Sequence, residues 1–264
     1  MTANGHEGTA PSILELKNAT IRFGGLVAVN TVNFSLNQGD LFGLIGPNGA
    51  GKTTCFNMIT GVYRPTSGHI YFGGRDITGT PANRIAQIGI ARTFQNIRLY
   101  HNLSVLENVV VGAFLRHHVG LGSALMYLPS AIHETDELKD QAMEMLKILD
   151  LEKVANHRSA DLPYGMQRRL EIARAMATQP KLLLLDEPAA GMNPNEKSDL
   201  MNTVRRLRDD HGKTVLVIEH DMRFVMNLCE RIFVLDHGEE IAFGPPEKVR
   251  NDTKVIEAYL GEAV

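Results

Sequence analysis

Cysteine is scarce in this chain of 264 residues. The two present, Cys55 and Cys229, lack metal-ligand spacing, and a disulfide framework is not expected, so a structural zinc site and a stapled extracellular scaffold are set aside. A reducing compartment fits. Long apolar runs are missing as well. None approaches the ~18 to 20 residues that a membrane span needs. The polar start, MTANGHEGTAPS, has no apolar signal core, and residues 1–11 are expected to form a flexible tail. There is no basic run and the net charge is −3, so no positive field recommends a nucleic acid as partner. Internal repeats and low-complexity stretches are absent too. What remains is a soluble chain long enough to bury a sizeable core as one large domain or two small ones. Any link to a membrane is expected to run through a partner.

The most informative run that is present is GPNGAGKTT, comprising Gly46, Pro47, Asn48, Gly49, Ala50, Gly51, Lys52, Thr53 and Thr54. It matches the spacing G-x-x-x-x-G-K-S/T. An apolar segment, Leu41 to Ile45, precedes it and reads as a buried strand. An apolar-periodic segment, Thr53 to Thr60, follows and reads as a helix stopped by Gly61. Strand, glycine loop and helix make a phosphate cradle. The glycines let backbone N–H groups turn toward the β- and γ-phosphates, and the helix N-terminus adds partial positive charge. Lys52 supplies a full charge, and the Thr53 hydroxyl is placed for Mg²⁺. A nucleoside triphosphate is the expected ligand.

The rest of the chain divides into zones. Residues 12–94 mix short strands (Ile13 to Phe23, Val32 to Leu36, His69 to Phe72) with this loop. Residues 95–161 are mostly helical in pattern. Ser104 and Glu107 form a capping box opening a helix to about Arg116. Leu138, Ala142, Met145, Leu146 and Leu149 line one face of another, and Val119 to Ser130 between them is loop-like. The apolar stretch Val109 to Leu115 reads first as the core of its own helix, with a place in a partner groove as the alternative. Residues 162–264 return to alternation, with strands at Leu182–Leu185, Thr214–Ile218 and Ile232–Leu235 and helices at Gln167–Thr178 and Glu196–His211. The expected fold is α/β: a P-loop NTPase core with an N-terminal antiparallel β subdomain, interrupted by a helical insertion, all within a single domain over 12–264.

Two further motifs add chemistry. LLLLDEP, Leu182 to Pro188, is a central strand ending in two carboxylates beside the phosphate loop. Asp186 can hold Mg²⁺ through its water shell, and Glu187 is placed to orient and deprotonate an attacking water. LPYGMQRRLEIARAMA, Leu162 to Ala177, puts a glycine turn before a helix, a second phosphate-binding shape in one chain. That is explained if two molecules meet head to tail, each presenting Tyr164 and Gly165 to the other's γ-phosphate.

With these motifs in this order the chain resembles ATP-binding cassette proteins over nearly its whole length. The resemblance implies that Phe23 stacks on adenine, that Gln95 approaches Mg²⁺ at the edge of the helical insertion, and that His220 contacts the γ-phosphate. RFGGLVAVN, ARTFQNIRLY, YGMQRRLEIAR, DEPAAGMNP and VIEAYLGEA look like the ATPase subunits of branched-chain amino-acid importers. That likeness implies ATP and Mg²⁺ as cofactors and integral-membrane permeases as partners. It also implies a second ATPase subunit (unlike or identical), an external solute-binding protein acting indirectly, and a peripheral place on the cytoplasmic face of the cell membrane. Importers of urea, amides or other amino acids and lipid-transport systems stay open as alternatives. A small-molecule kinase sharing the phosphate loop is disfavoured by the glycine turn with Glu187 and His220. Two residues depart from the general pattern. Pro163 stands where a serine hydroxyl is common, and it brings neither hydroxyl nor N–H. Asn193 stands where many cassettes have an aspartate.

Overall fold

The computed structural model describes residues 12–114 and 129–260. In chain order the elements are β1 (Ser12–Phe23), β2 (Leu26–Asn37), β3 (Leu41–Ile45), α1 (Lys52–Ile59), β4 (Ser67–Phe72), β5 (Arg75–Asp76), α2 (Ala82–Ile88), β6 (Ile90–Arg92), α3 (Val105–Ala113), α4 (Pro129–Ile148), α5 (Tyr164–Ala177), β7 (Leu182–Asp186), α6 (Pro194–Asp209), β8 (Thr214–Ile218), α7 (Met222–Leu228), β9 (Arg231–Asp236), β10 (Glu239–Gly244), α8 (Pro246–Arg250) and α9 (Thr253–Leu260). No helix among the described residues is long and apolar enough to cross a membrane.

Two sheets form. An antiparallel sheet of order β2-β1-β4-β5 gathers the N-terminal strands. A six-stranded sheet of order β10-β9-β3-β8-β7-β6 is parallel except for its β10 edge. The all-apolar runs in β3, β7 and β8 follow from burial on both faces. Leu183, Leu185, Val215 and Val217 point into a core shared with α3, α4, α5 and α6. Their neighbours Leu182, Leu184, Leu216 and Ile218 point into a second core shared with α1 and the antiparallel sheet. Each buried leucine here stabilises the fold by about 1.5–3 kcal/mol.

The helical segment is continuous with the first of these cores, because Val105, Val109, Leu138 and Leu146 pack in the same cluster as Leu183. The capping box that starts α3 is complete: Glu107 N–H donates to Ser104 Oγ, and Ser104 N–H returns to Glu107 Oε2 at 2.7 Å. Gly112 lets α3 lie close on α5. A Cβ there would stand 2.4 Å from the Arg174 carbonyl.

Several element ends differ from expectation. The Gln167 helix begins at Tyr164, since Pro163 can stand as its extended N-cap residue. The Glu196 helix begins at Pro194, capped by Asn193. Pro129 and Ser130 open α4 instead of closing a loop, proline being tolerated in a first turn. Residues 1–11, 115–128 and 261–264, and with them the expected tail, most of the Val119–Ser130 loop and the reach of α3 to Arg116, lie outside the described residues. The Val109–Leu115 stripe divides. Val109, Gly112 and Ala113 are buried, whereas Val111 is half-buried and lines a surface groove.

Candidate functional site

The registers bring the chemistry to one sheet edge. Leu44 of β3 and Asp186 of β7 both pair with Ile218 of β8, so these three strands end level. The phosphate loop, Asp186–Glu187 and Glu219–His220 therefore leave the sheet side by side, where parallel α/β sheets carry their ligands.

The loop's backbone explains its glycines. Gly46 has φ +150 and Gly51 φ +102, and a Cβ would meet the Leu235 carbonyl at 2.0 Å or the Ala28 carbonyl at 2.6 Å. Lys52, opening α1, is buried, and its Nζ donates to the Gly46 and Pro47 carbonyls at 2.7 Å each. Asn48, Gly49 and Thr53 are exposed, Pro47 and Ala50 are buried, and Thr54 lies between. A narrow loop that admits no extra side chains at two positions, with one ammonium against it, has the build of a phosphate cradle. Phe23, at the end of β1, is 44% exposed and makes an edge-to-face contact with Tyr63 at 5.2 Å. Its free face suits a planar base.

The carboxylates at the end of β7 have different surroundings. Asp186 is buried, and its Oδ2 accepts from Arg92 at 2.6 Å. Glu187 takes a left-handed φ of +46, a conformation unusual for a residue with a side chain. Backbone strain of this kind persists only where the surroundings over-determine it. The Glu187 N–H donates to the Ile218 carbonyl at 2.9 Å. Its Oε2 accepts from Gln95 Nε2 at 2.9 Å and lies 3.8 Å from His220 Nδ1. Gln95, Glu187 and His220 thus form one cluster, with His220 well exposed. Tyr164 and Gly165 lie elsewhere: a Cβ on Gly191 would stand 3.3 Å from the Tyr164 ring, and one on Gly165 would stand 2.8 Å from Glu196 Oε1.

Among the described residues no group of three or more His, Cys, Asp or Glu side chains could hold a metal alone. One hydroxyl (Thr53), one carboxylate (Asp186) and one amide (Gln95) are a sparse oxygen set. As residue types these would suit Mg²⁺, which keeps waters and takes most other ligands from phosphates, once Asp186 gives up its bond to Arg92.

Sequence reasoning missed several residues here. Arg92 bridges Asp186 and Asn57. Arg168 and Glu171 form a buried ion pair below Gln95. Glu219 is fully buried behind His220, accepting from Ala189 N–H at 2.7 Å, and burial pushes its carboxyl up from the ordinary glutamate value. Glu219 directly follows the apolar run of β8, whereas nothing local marks Arg168 in its charged helix. A groove of about 770 Å³ runs beside this region, floored by Ile85, Ala91, Leu99 and Val111 and rimmed by Arg98 and Arg174.

Known proteins are similar to this chain in sequence and fold. Residues 29–190 match the model of the ABC transporter family, and residues 239–264 match a segment described as branched-chain amino acid ATP-binding cassette transporter. The chain is 47% identical over 251 residues to the high-affinity branched-chain amino acid transport ATP-binding protein LivG of Escherichia coli strain K12, covering 95% of this chain and 98% of that one. It is 45% identical to BraF, of the same description, from Pseudomonas aeruginosa, with the same coverage. Among solved structures, a nucleotide-free ATP-binding cassette from an ABC transporter superposes with a TM-score of 0.83 at 34% identity, covering 94% of this chain and 99% of that one. A dimeric bacterial ABC transporter cassette superposes with a TM-score of 0.74 at 29% identity, covering 88% and 98%.

Proposed function

The chain belongs to the ABC transporter family as an ATP-binding cassette ATPase, and on that premise we propose that it energises import of branched-chain amino acids through membrane permeases. The hydrolytic part rests on one observation above all: Glu187, held at a left-handed φ, is hydrogen-bonded by Gln95 and approached by His220. The solute is carried over from the names of the relatives and from the match at residues 239–264.

Phe23 stacks on adenine. Lys52 exchanges its two carbonyl bonds for the β- and γ-phosphates, and the loop amides of residues 46–54 complete the cradle. Thr53, Asp186 and Gln95 would hold Mg²⁺, which would neutralise charge on the phosphates. Glu187 orients and polarises the attacking water, and His220 fixes the glutamate against the γ-phosphate. Two cassettes close head to tail, with the Tyr164–Gly165 turn of each facing the other's γ-phosphate. The dimeric state of a similar cassette supports the pairing of two cassettes. Loss of the γ-phosphate removes the bridge and the dimer opens. A short permease helix occupies the groove beside Gln95, so closure and opening become states of the permease. The subunit is peripheral on the cytoplasmic face, paired with a like or unlike ATPase, and a solute-binding protein outside delivers the cargo.

The test is purification with the permeases and companion ATPase, followed by uptake in proteoliposomes. ATP-dependent uptake of leucine, isoleucine and valine is expected, with phosphate released and no phosphorylated acceptor. Uptake of urea or amides in place of these amino acids would move the solute assignment to an alternative importer.

A further inference from the structure

Below the hydrolytic cluster lies an arginine that the proposed mechanism does not use. Arg168, on α5, is fully buried, as is its partner Glu171. A buried ion pair is expensive to desolvate and is weak grounds for stability alone. What distinguishes this one is where the guanidinium points. Nη1 donates to the Phe94 carbonyl at 2.7 Å and to Glu171 Oε2 at 2.8 Å. Nη2 donates to the Gln95 carbonyl at 2.9 Å and, at 3.4 Å, to the Glu187 carbonyl. Glu171 Oε1 accepts from the Phe94 N–H at 3.2 Å, so the pair holds both backbone groups of Phe94. Burial raises the Glu171 carboxyl above its ordinary value, and the Arg168 charge opposes that.

One planar fork therefore fastens the backbone of the Phe94–Gln95 loop and that of Glu187, while the Gln95 side chain bonds the Glu187 side chain above it. A guanidinium suits this because its donors sit in a fixed plane, unlike those of an ammonium. Arg168 also stands one helical turn after Tyr164 and Gly165, on the same rigid helix. We propose that Arg168 is a positioning residue for hydrolysis. It sets Glu187 and Gln95 relative to each other and ties both to the helix whose first turn faces the partner cassette. The inference rests on Glu187 orienting the water and adds the element that places it.

The experiment uses the assembled transporter and kcat per nucleotide-binding site. Four variants are compared: Arg168→Lys, the charge-neutral pair Arg168→Met with Glu171→Gln, Gln95→Ala, and the neutral pair combined with Gln95→Ala. The neutral pair leaves no buried charge, and Arg168→Lys keeps the charge without the fork. The neutral pair should lower kcat at least about tenfold, with the ATP Kd unchanged within about twofold, and Arg168→Lys should recover only part of the loss. A merely structural role would lower the number of binding sites and not kcat per site. Residues acting as one unit are non-additive. In the Gln95→Ala background the neutral pair should therefore cost less than about threefold. An unchanged kcat, or the full tenfold loss on top of Gln95→Ala, overturns the proposal. Normal turnover in a Glu187→Gln control overturns the hydrolytic reading and this proposal with it. A dead control beside an unimpaired neutral pair overturns the proposal alone.

Discussion

Replacing Pro163 with serine separates two roles for the residue that opens α5. In the free chain Pro163 is the extended N-cap residue with no side-chain bond to the helix, and its carbonyl accepts from Met166 and Gln167. A serine there adds a capping hydroxyl, worth about 1 kcal/mol. It also returns backbone freedom to the unfolded chain, costing about 0.4–1 kcal/mol. The two nearly cancel, so the melting temperature should move by no more than about 2–4 °C. In the closed ATP dimer the hydroxyl can leave the cap and donate to the partner's γ-phosphate. A hydrogen bond to a charged group contributes about 1.5–3 kcal/mol. After subtracting the lost cap, the gain is about 0.5–2 kcal/mol per turn; with two turns in a dimer of identical chains that is about 1–4 kcal/mol, or roughly fivefold to a thousandfold in the dimer dissociation constant. The assay is sedimentation velocity with MgATP in a Glu187→Gln background, with and without Pro163→Ser, beside thermal melts of both. Tighter dimers with little change in melting are expected. Unchanged or weaker dimerisation would refute the missing-donor reasoning and leave Pro163 as a rigid turn residue.

Two further outcomes are expected. Phe23→Ala should weaken ATP binding by about 1 kcal/mol, roughly fivefold in Kd, through lost stacking; an unchanged titration with a fluorescent ATP analogue would return Phe23 to packing on Tyr63. Burial raises the Glu219 carboxyl above the ordinary value of 4.5 despite the Ala189 N–H and His220. The folded state then holds that proton more tightly than the unfolded one. Its stabilising contribution is full below the unfolded value and is lost as pH rises through the folded one. Glu219→Gln should therefore lose less melting temperature than the parent as pH rises above the ordinary glutamate value of 4.5. Parallel curves would exclude Glu219 as a source of that dependence.

The phosphate loop and the three central strands were legible in the sequence because their signals are local. GPNGAGKTT needs only its own spacing, and Leu182–Leu185 and Thr214–Ile218 are apolar on both faces because both faces are covered. The short edge elements were not legible. β10 (Glu239–Gly244) carries two glutamates and, among the described residues, pairs only with β9, so its apolar alternation is weak. α2 and β6 occupy one short stretch with no cap side chain to mark the helix start. Arg168 was hidden for another reason. Its partners Phe94, Gln95 and Glu187 lie far off in sequence, and only folding brings their carbonyls around one guanidinium. Asn193 was noticed as a lost charge, whereas its visible work is local: its side chain caps α6 by accepting from Asn195 and Glu196.

The central claim is that Glu187 orients the water that attacks ATP. The most direct measurement is steady-state phosphate release by the assembled transporter carrying Glu187→Gln, with ATP binding measured on the same preparation. The amide keeps a hydrogen-bond acceptor and cannot take a proton. Turnover should fall roughly 10²-fold or more with binding retained, and MgATP should trap the closed dimer. Near-parental phosphate release with intact binding would contradict the assignment.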